Sequence, residues 1–238
     1  AGAFIAKKDS ARADWISGIS HDVRTPLSVI LGFAGQLEAD QTLPASAREQ
    51  ASHIRRQGEK LRSLISDLNL TSRLEYSMQP LRMEKVYFVE LARQVVCEFL
   101  DGGLEARYQI MFDSSQESET ASIMGDEALL KRALYNLIQN SVIHNPKGCV
   151  ISVSVVWNGN NTVITVSDNG IGVSAEKLDK LRATTNHLES TDERLKLRHG
   201  LGVLLVRQIV EAHHGTMEIL SEPQNGYQTV LVFPGGET

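Results

Sequence analysis

The sequence predicts a multi-domain chain, an all-α helical hairpin that forms a dimeric four-helix bundle, followed by an α+β two-layer sandwich. Three observations predict it. Up to about Tyr76 the apolar residues recur only at spacings of three and four, the period of a helix. From about Leu81 short strand-like runs alternate with amphipathic helices. Finally, the apolar stripes of the first part are too wide for one hairpin to cover, so a second copy is needed to bury them. The change of pattern places the domains at 1–77 and 78–238, and 238 residues suffice for both cores.

The first helix carries Ile16, Ile19, Val23, Leu27, Ile30, Ala34 and Leu37. The segment "ADQTLP" (39–44) breaks the pattern, with Pro44 suited to an early helical position. A second stripe follows at Ala47, Ala51, Ile54, Gly58, Leu61, Ile65 and Leu68. A short connection between two long helices makes them antiparallel. In the second part strands are expected near 82–87, 107–112, 120–125, 149–157, 161–167, 216–221 and 227–233. Helices are expected near 88–100, 126–144, 174–182 and 201–213. "WNGNNT" (157–162) reads as a hairpin turn. Asp126 fits an N-cap, and His213 and His214 a helix end favoured by the dipole. Arg55 and Arg56 read as a solvated face.

Composition removes several classes. A 42% hydrophobic content with few aromatics suits a globular protein, and a net charge of −5 offers no reason to expect nucleic-acid binding. No apolar run approaches the ~18 residues that span a bilayer. The opening "AGAFIAKKDSARADW" lacks the apolar core and cleavage site of a secretory leader. Cys97 and Cys149 fall in separate apolar segments, as buried thiols in a reducing compartment do.

Chemistry enters at "SHDVRTPL" (20–27). His21 lies roughly 150° from the centre of the apolar stripe, so its ring faces outward, and Thr25 follows one turn later on that face. Asp22 can reach the imidazole edge. Pro26 removes the amide that would bond the Asp22 carbonyl, and the helix is expected to loosen or bend there. An exposed imidazole with a carboxylate neighbour is a nucleophile set out for a bulky reactant. A surface histidine beside a tolerated kink is the plainer reading of the same residues.

A second group lies in the sandwich. The chain has no GxxxxGK[ST], which excludes a Walker cradle. On "DEALLKRALYNLIQNSVIHN", Leu130, Leu134, Leu137 and Ser141 form an inner face, with Asn136 and Asn140 one turn apart opposite them. Amide oxygens suit a Mg²⁺ ion that also bridges phosphates, although paired asparagines also occur simply as solvated residues. "VITVSDNGIGV" (163–173) ends a strand at Asp168, a carboxylate able to accept from an exocyclic amino group. Gly170 and Gly172 then let backbone approach a ligand. "RHGLGVLLVRQIVEAHHG" (198–215) opens a helix around Gly200, Leu201 and Gly202, a seat for phosphate oxygens.

In this order the motifs resemble the H-box and the N, G1 and G2 boxes of two-component sensor histidine kinases, over about residues 10–235. The resemblance implies a phosphotransfer hairpin joined to a Bergerat-type (GHKL) ATP-binding domain, shared with Hsp90-like ATPases. It implies ATP-dependent protein-histidine kinase activity, with ATP and Mg²⁺ bound. His21 would be the phosphoryl acceptor, Asp22 its base or orienter, and Thr25 a residue that places water for dephosphorylating a partner. Asn136 and Asn140 would serve Mg²⁺ and phosphates and Asp168 the adenine. Gly170, Gly172, Gly200, Leu201 and Gly202 would shape the pocket, with His144 and Arg198 as further contacts and 183–199 as a lid. The implied partners are a second copy of the chain and a response-regulator receiver domain. The implied setting is the cytoplasmic portion of a bacterial inner-membrane receptor.

Departures from the family pattern sharpen the reading. Gln139 stands where many relatives carry a carboxylate, and an amide is no general base. Ile143 replaces a frequent lysine, Arg198 replaces the first glycine of the G2 box, and no phenylalanine marks the lid. Arg194, Lys196 and Arg198 are candidates for the missing positive charge. The alternatives are a kinase-weak phosphatase acting through Thr25, and a dimeric scaffold that binds nucleotide without phosphorylating His21.

Overall fold

The hairpin forms where its periodicity places it. In the computed structural model, which describes residues 2–75, 78–183 and 201–235, α1 spans Gly2–Ala39 and α2 spans Ala45–Glu75. Pro26 lies inside α1, which continues without a break to Ala39. The connection is built by Asp40, whose carboxylate accepts from the Thr42 amide at 2.8 Å and the Thr42 hydroxyl at 2.6 Å. The Pro44 carbonyl then accepts the Arg48 amide to start α2.

The two apolar stripes split by heptad position. Leu27 and Ala34 on α1, and Ala51 and Gly58 on α2, are buried between the helices. Ile30, Leu37, Ile54 and Leu61, three residues further along, remain 45% to 50% exposed. One seam is closed and a second apolar band stays open. Arg55 is not a plain solvated residue: its guanidinium bridges Glu38 of α1 and Glu59 of α2. The Glu38 hydrogen bond and charge hold Arg55 above its ordinary pKa.

The chain divides into two units, Ala1–Gln79 and Pro80–Thr238. In the second, β1 (Glu84–Tyr87) pairs antiparallel with β3 (Ser122–Gly125). A five-stranded sheet is formed by β2 (Tyr108–Ser114), β4 (Cys149–Trp157), β5 (Asn161–Asp168), β6 (Thr216–Ser221) and β7 (Tyr227–Pro234). Its order is β2-β4-β5-β7-β6, with β2 parallel to β4 and the other neighbours antiparallel. Strict alternation puts Ile151, Val153, Val155, Ile164, Val166, Leu231 and Phe233 on one buried face. That face is covered by α3 (Phe88–Asp101), α4 (Glu127–His144) and α6 (Leu201–Ala212), with α5 (Ala175–Ala183) against β6. The result is two layers, helices on sheet. The β4–β5 turn is capped by Asn158, which accepts the Asn160 and Asn161 amides at 3.2 and 2.8 Å. Cys149 is buried as expected, whereas Cys97 is exposed on α3, where its helical position turns it outward.

Asp126 caps α4, accepting the Leu129 amide at 3.2 Å and the Arg82 amide at 3.0 Å. Its own amide donates to His213 Nε2 at 2.9 Å, while His213 Nδ1 lies 2.7 Å from the Ile209 carbonyl. His213 is thus no exposed, dipole-favoured cation. Its ring is buried and must be neutral, protonated on Nδ1, to serve both contacts, and burial lowers its pKa below 6.5. The unfolded chain therefore takes up this proton first. The stability owed to His213 is full above about pH 6.5 and falls as pH drops through that value towards the lowered folded one. Phenylalanine at 213 keeps the ring but strands the buried Asp126 amide, at a cost of about 1–3 kcal/mol. His213→Phe should lower the melting temperature by roughly 3–10 °C at neutral pH. The gap to wild type should narrow between pH 6.5 and 5, as thermal melts across that range will show.

Candidate functional site

On α1 the buried positions Ile16, Ser20 and Leu27 leave the opposite side to His21, Asp22 and Thr25. The His21 side chain is 77% exposed, and its Nδ1 lies 3.5 Å from Asp22 Oδ1. Beside it the Ser20 and Ser28 hydroxyls donate to the Ile16 and Arg24 carbonyls at 2.7 and 2.9 Å, tying side chains to backbone on both sides of Pro26. An imidazole in this position can meet a large partner from solvent.

In the second unit the focus is Asp168, the last residue of β5, which is buried at the end of the sheet. Its Oδ2 accepts the Ser141 hydroxyl at 2.8 Å. Its Oδ1 accepts Asn145 Nδ2 at 3.1 Å and the Gly170 amide at 3.0 Å. Asn145 is fixed in turn, donating to the Ser141 carbonyl at 2.9 Å and accepting the Ile171 amide at 3.0 Å. A Cβ on Gly170 would stand 1.8 Å from Asn145 Oδ1, so only glycine lets this turn close over the amide. A carboxylate offers about four acceptor positions. Three are filled by described residues, and the fourth, on Oδ2, is available to a ligand.

That position borders a cavity of about 70 Å³ to which Asn140, His144, Gly172, Val203 and Tyr227 also contribute. A wider concavity of about 840 Å³ shares Asp168 and Tyr227 but is lined by Ser152, Ser167 and Gln228, without Asn140 or His144. The smaller cavity is the better candidate because the polar groups expected from the sequence converge on it. Asn136 and Asn140 are half-buried rather than turned to open solvent. Both Oδ1 atoms come within 3.4 Å of where a Cβ on Gly202 would sit, so two amide oxygens converge at the start of α6. Asn136 Nδ2 is occupied by the Arg132 carbonyl at 3.0 Å. Leu201 and Gly202 are half-buried beside them. Arg198 and Gly200, with Arg194 and Lys196, lie outside the described residues.

Three members of the cluster escape sequence reasoning. Ser141 reads as a small inner-face residue but holds Asp168; Asn145 has no role assigned from the sequence but clamps the turn; Tyr227 reads as strand. Asp168 also acts at a distance, since burial and then its charge raise the pKa of the Cys149 thiol.

The comparisons with known proteins follow the same division. Residues 11–77 match the family described as His Kinase A (phospho-acceptor) domain. Residues 125–237 match the family described as Histidine kinase-, DNA gyrase B-, and HSP90-like ATPase. The chain belongs to the two-component sensor histidine kinases. It is 32% identical over 233 residues to the sensor histidine kinase YvrG of Bacillus subtilis, covering 95% of this chain and 39% of YvrG. It is 29% identical to the autoinducer 2 sensor kinase/phosphatase LuxQ of Vibrio parahaemolyticus, covering 96% of this chain and 27% of LuxQ. Among solved structures, full-length ShkA in complex with AMPPNP superposes with a TM-score of 0.74 at 25% identity, over 94% of this chain and 46% of ShkA. The Acinetobacter baumannii histidine kinase AdeS, at 19% identity and a TM-score of 0.62, covers 91% of this chain and 98% of its own and shares the fold. The chain thus spans well under half the length of the two curated relatives named.

Proposed function

We propose that this chain is the catalytic core of an ATP-dependent histidine kinase that phosphorylates its own His21 and passes the group to an aspartate of a response-regulator receiver domain. Residues 1–77 would perform phosphotransfer and residues 78–238 would present ATP. The observation that carries the proposal is the outward His21 ring with Asp22 beside Nδ1. With the proton on Nδ1 facing that carboxylate, Nε2 holds a lone pair directed to solvent. Nε2 attacks the γ-phosphorus as the bond to the bridging oxygen of ADP breaks, and the Nδ1 proton leaves towards Asp22. A receiver carboxylate then takes the phosphoryl group and the imidazole regains its proton.

The Asp168 cavity is the proposed adenine site, with Gly170, Gly172 and His144 around it and Gly202 at the phosphate end. Asn136 and Asn140 are the proposed Mg²⁺ residues. No group of three or more His, Cys, Asp or Glu side chains among the described residues could hold a metal ion. Two converging amide oxygens fit a cation whose other ligands come from phosphates and water. When bound, Mg²⁺ neutralises phosphate charge. Arg198, Gly200 and Leu201 are proposed nucleotide contacts by their place in the motif.

The open band of Ile30, Leu37, Ile54 and Leu61 supports a homodimer closed as a four-helix bundle. No described helix is long and apolar enough to cross a membrane, and a membrane-anchored parent receptor with this core in the cytoplasm remains part of the proposal. Phosphatase activity through Thr25 is proposed alongside, by analogy with the kinase/phosphatase LuxQ. Incubation with γ-labelled ATP should label the protein with a phosphate that is lost in acid and survives alkali. Label that survives acid, or nucleotide binding without label, would overturn the kinase reading, the latter in favour of a scaffold. Thr25→Ala should leave labelling within about twofold while slowing dephosphorylation of a phosphorylated receiver at least tenfold.

A further inference from the structure

We infer that Tyr227 is a base-reading residue of the nucleotide site, its hydroxyl supplying the donor that meets N1 of adenine while Asp168 accepts from the 6-amino group. The inference rests on the reading of the Asp168 cavity as the adenine site. Tyr227 opens β7 directly opposite Asp168 in the β5–β7 register, and both side chains border the same cavity. The Tyr227 hydroxyl is buried beside the Thr229 hydroxyl two residues on, which can donate to its oxygen, and the phenol proton itself meets no acceptor among the described residues. A buried phenol O–H without an acceptor is costly for a fold to keep, because the proton gives up water and gains no partner. Such a cost is explicable where a ligand completes the bond.

The chemistry of the pair fits one edge. Burial pushes the Tyr227 pKa up to about 12, so the phenol stays protonated and able to donate at neutral pH. Beside it, Asp168 has one acceptor position left after Ser141, Asn145 and Gly170 are served. An acceptor next to a donor is the complement of adenine, which presents an amino group at C6 and a lone pair at N1. A 6-oxopurine presents the reverse pair, and its O6 would face a carboxylate.

The test pairs a protein change with a ligand change. ATP and 1-deaza-ATP, which lacks N1, are titrated by calorimetry against wild type and Tyr227→Phe. ATP should bind the variant roughly three- to tenfold more weakly. Wild type should lose a similar factor on 1-deaza-ATP, and the variant should lose nothing further on that analogue. Melting should show Tyr227→Phe close to wild type in stability, because the phenol O–H that it removes has no acceptor in the unliganded protein. Unchanged ATP affinity in the variant, or losses that multiply when both changes are combined, would overturn the inference. Failure of wild type to bind ATP, or binding indifferent to Asp168→Asn, would instead overturn the underlying site assignment.

Discussion

His21→Gln should bind ATP as wild type does yet incorporate no acid-labile phosphate, a fall of at least about three orders of magnitude. The asymmetry follows from where the two functions sit. His21 is an exposed side chain on α1, and the Asp168 cavity is built entirely by residues of the second unit. Glutamine keeps length, polarity and helix propensity at an exposed site, so folding should be untouched. What it lacks is a basic nitrogen lone pair, since an amide nitrogen is delocalised into its carbonyl. Asp22→Asn should give a weaker phenotype, because an amide can still accept from Nδ1 but stabilises an imidazolium less. Residual label in His21→Gln, with unchanged chemical stability, would move the acceptor to another histidine. Mixed dimers of His21→Gln with Asp168→Asn extend the measurement. Label on the Asp168→Asn subunit alone means transfer between subunits, and its absence means transfer within one.

Much of this geometry is legible in the sequence, for a physical reason. Periodicity reports faces, so it predicts β4 and β5 at 149–157 and 161–167, and they occur at Cys149–Trp157 and Asn161–Asp168. The outward aspect of His21 follows from the same 100° steps. Periodicity does not say which half of a wide stripe the intramolecular partner covers. Leu27 and Ile30 look equivalent in sequence, and only the seam with Ala51 and Gly58 separates them. Polar networks are less legible still, because they close through tertiary structure. Ser141 and Asp168 are 27 positions apart and meet only when α4 lies on β5. His213 reads locally as a helix end, but its partner, the Asp126 amide, is 87 positions away. Arg55 reads as solvated for a similar reason, its partner Glu38 lying on the other arm of the hairpin.

Asp168→Asn should reverse the base preference of the nucleotide site as well as weaken it. The network dictates which way the new amide points. At the Oδ1 position two donors arrive, Asn145 Nδ2 and the Gly170 amide, so the asparagine oxygen must take that place. The NH₂ group then occupies the Oδ2 position, where the Ser141 hydroxyl can rotate to accept instead of donate. The one acceptor position that faced the ligand has become a donor. Opposite the amino group of adenine, two donors now confront each other. Loss of a charge-assisted bond and an unmet buried donor together should weaken ATP binding about a hundredfold or more. Inosine triphosphate presents an acceptor at the same place, so the variant should bind it more tightly than it binds ATP, inverting the wild-type order. Tyr227 can follow the exchange, since a neutral phenol accepts from N1–H as readily as it donates to N1. Titration of both nucleotides against both proteins, with Ser141→Ala as a third, would check the orientation argument. Without the hydroxyl that rotates, the asparagine NH₂ loses its acceptor, and Asp168→Asn combined with Ser141→Ala should fall short of the inverted preference. Equal weakening of ATP and inosine triphosphate by Asp168→Asn would mean that this carboxylate supports the turn at Gly170 without reading the base.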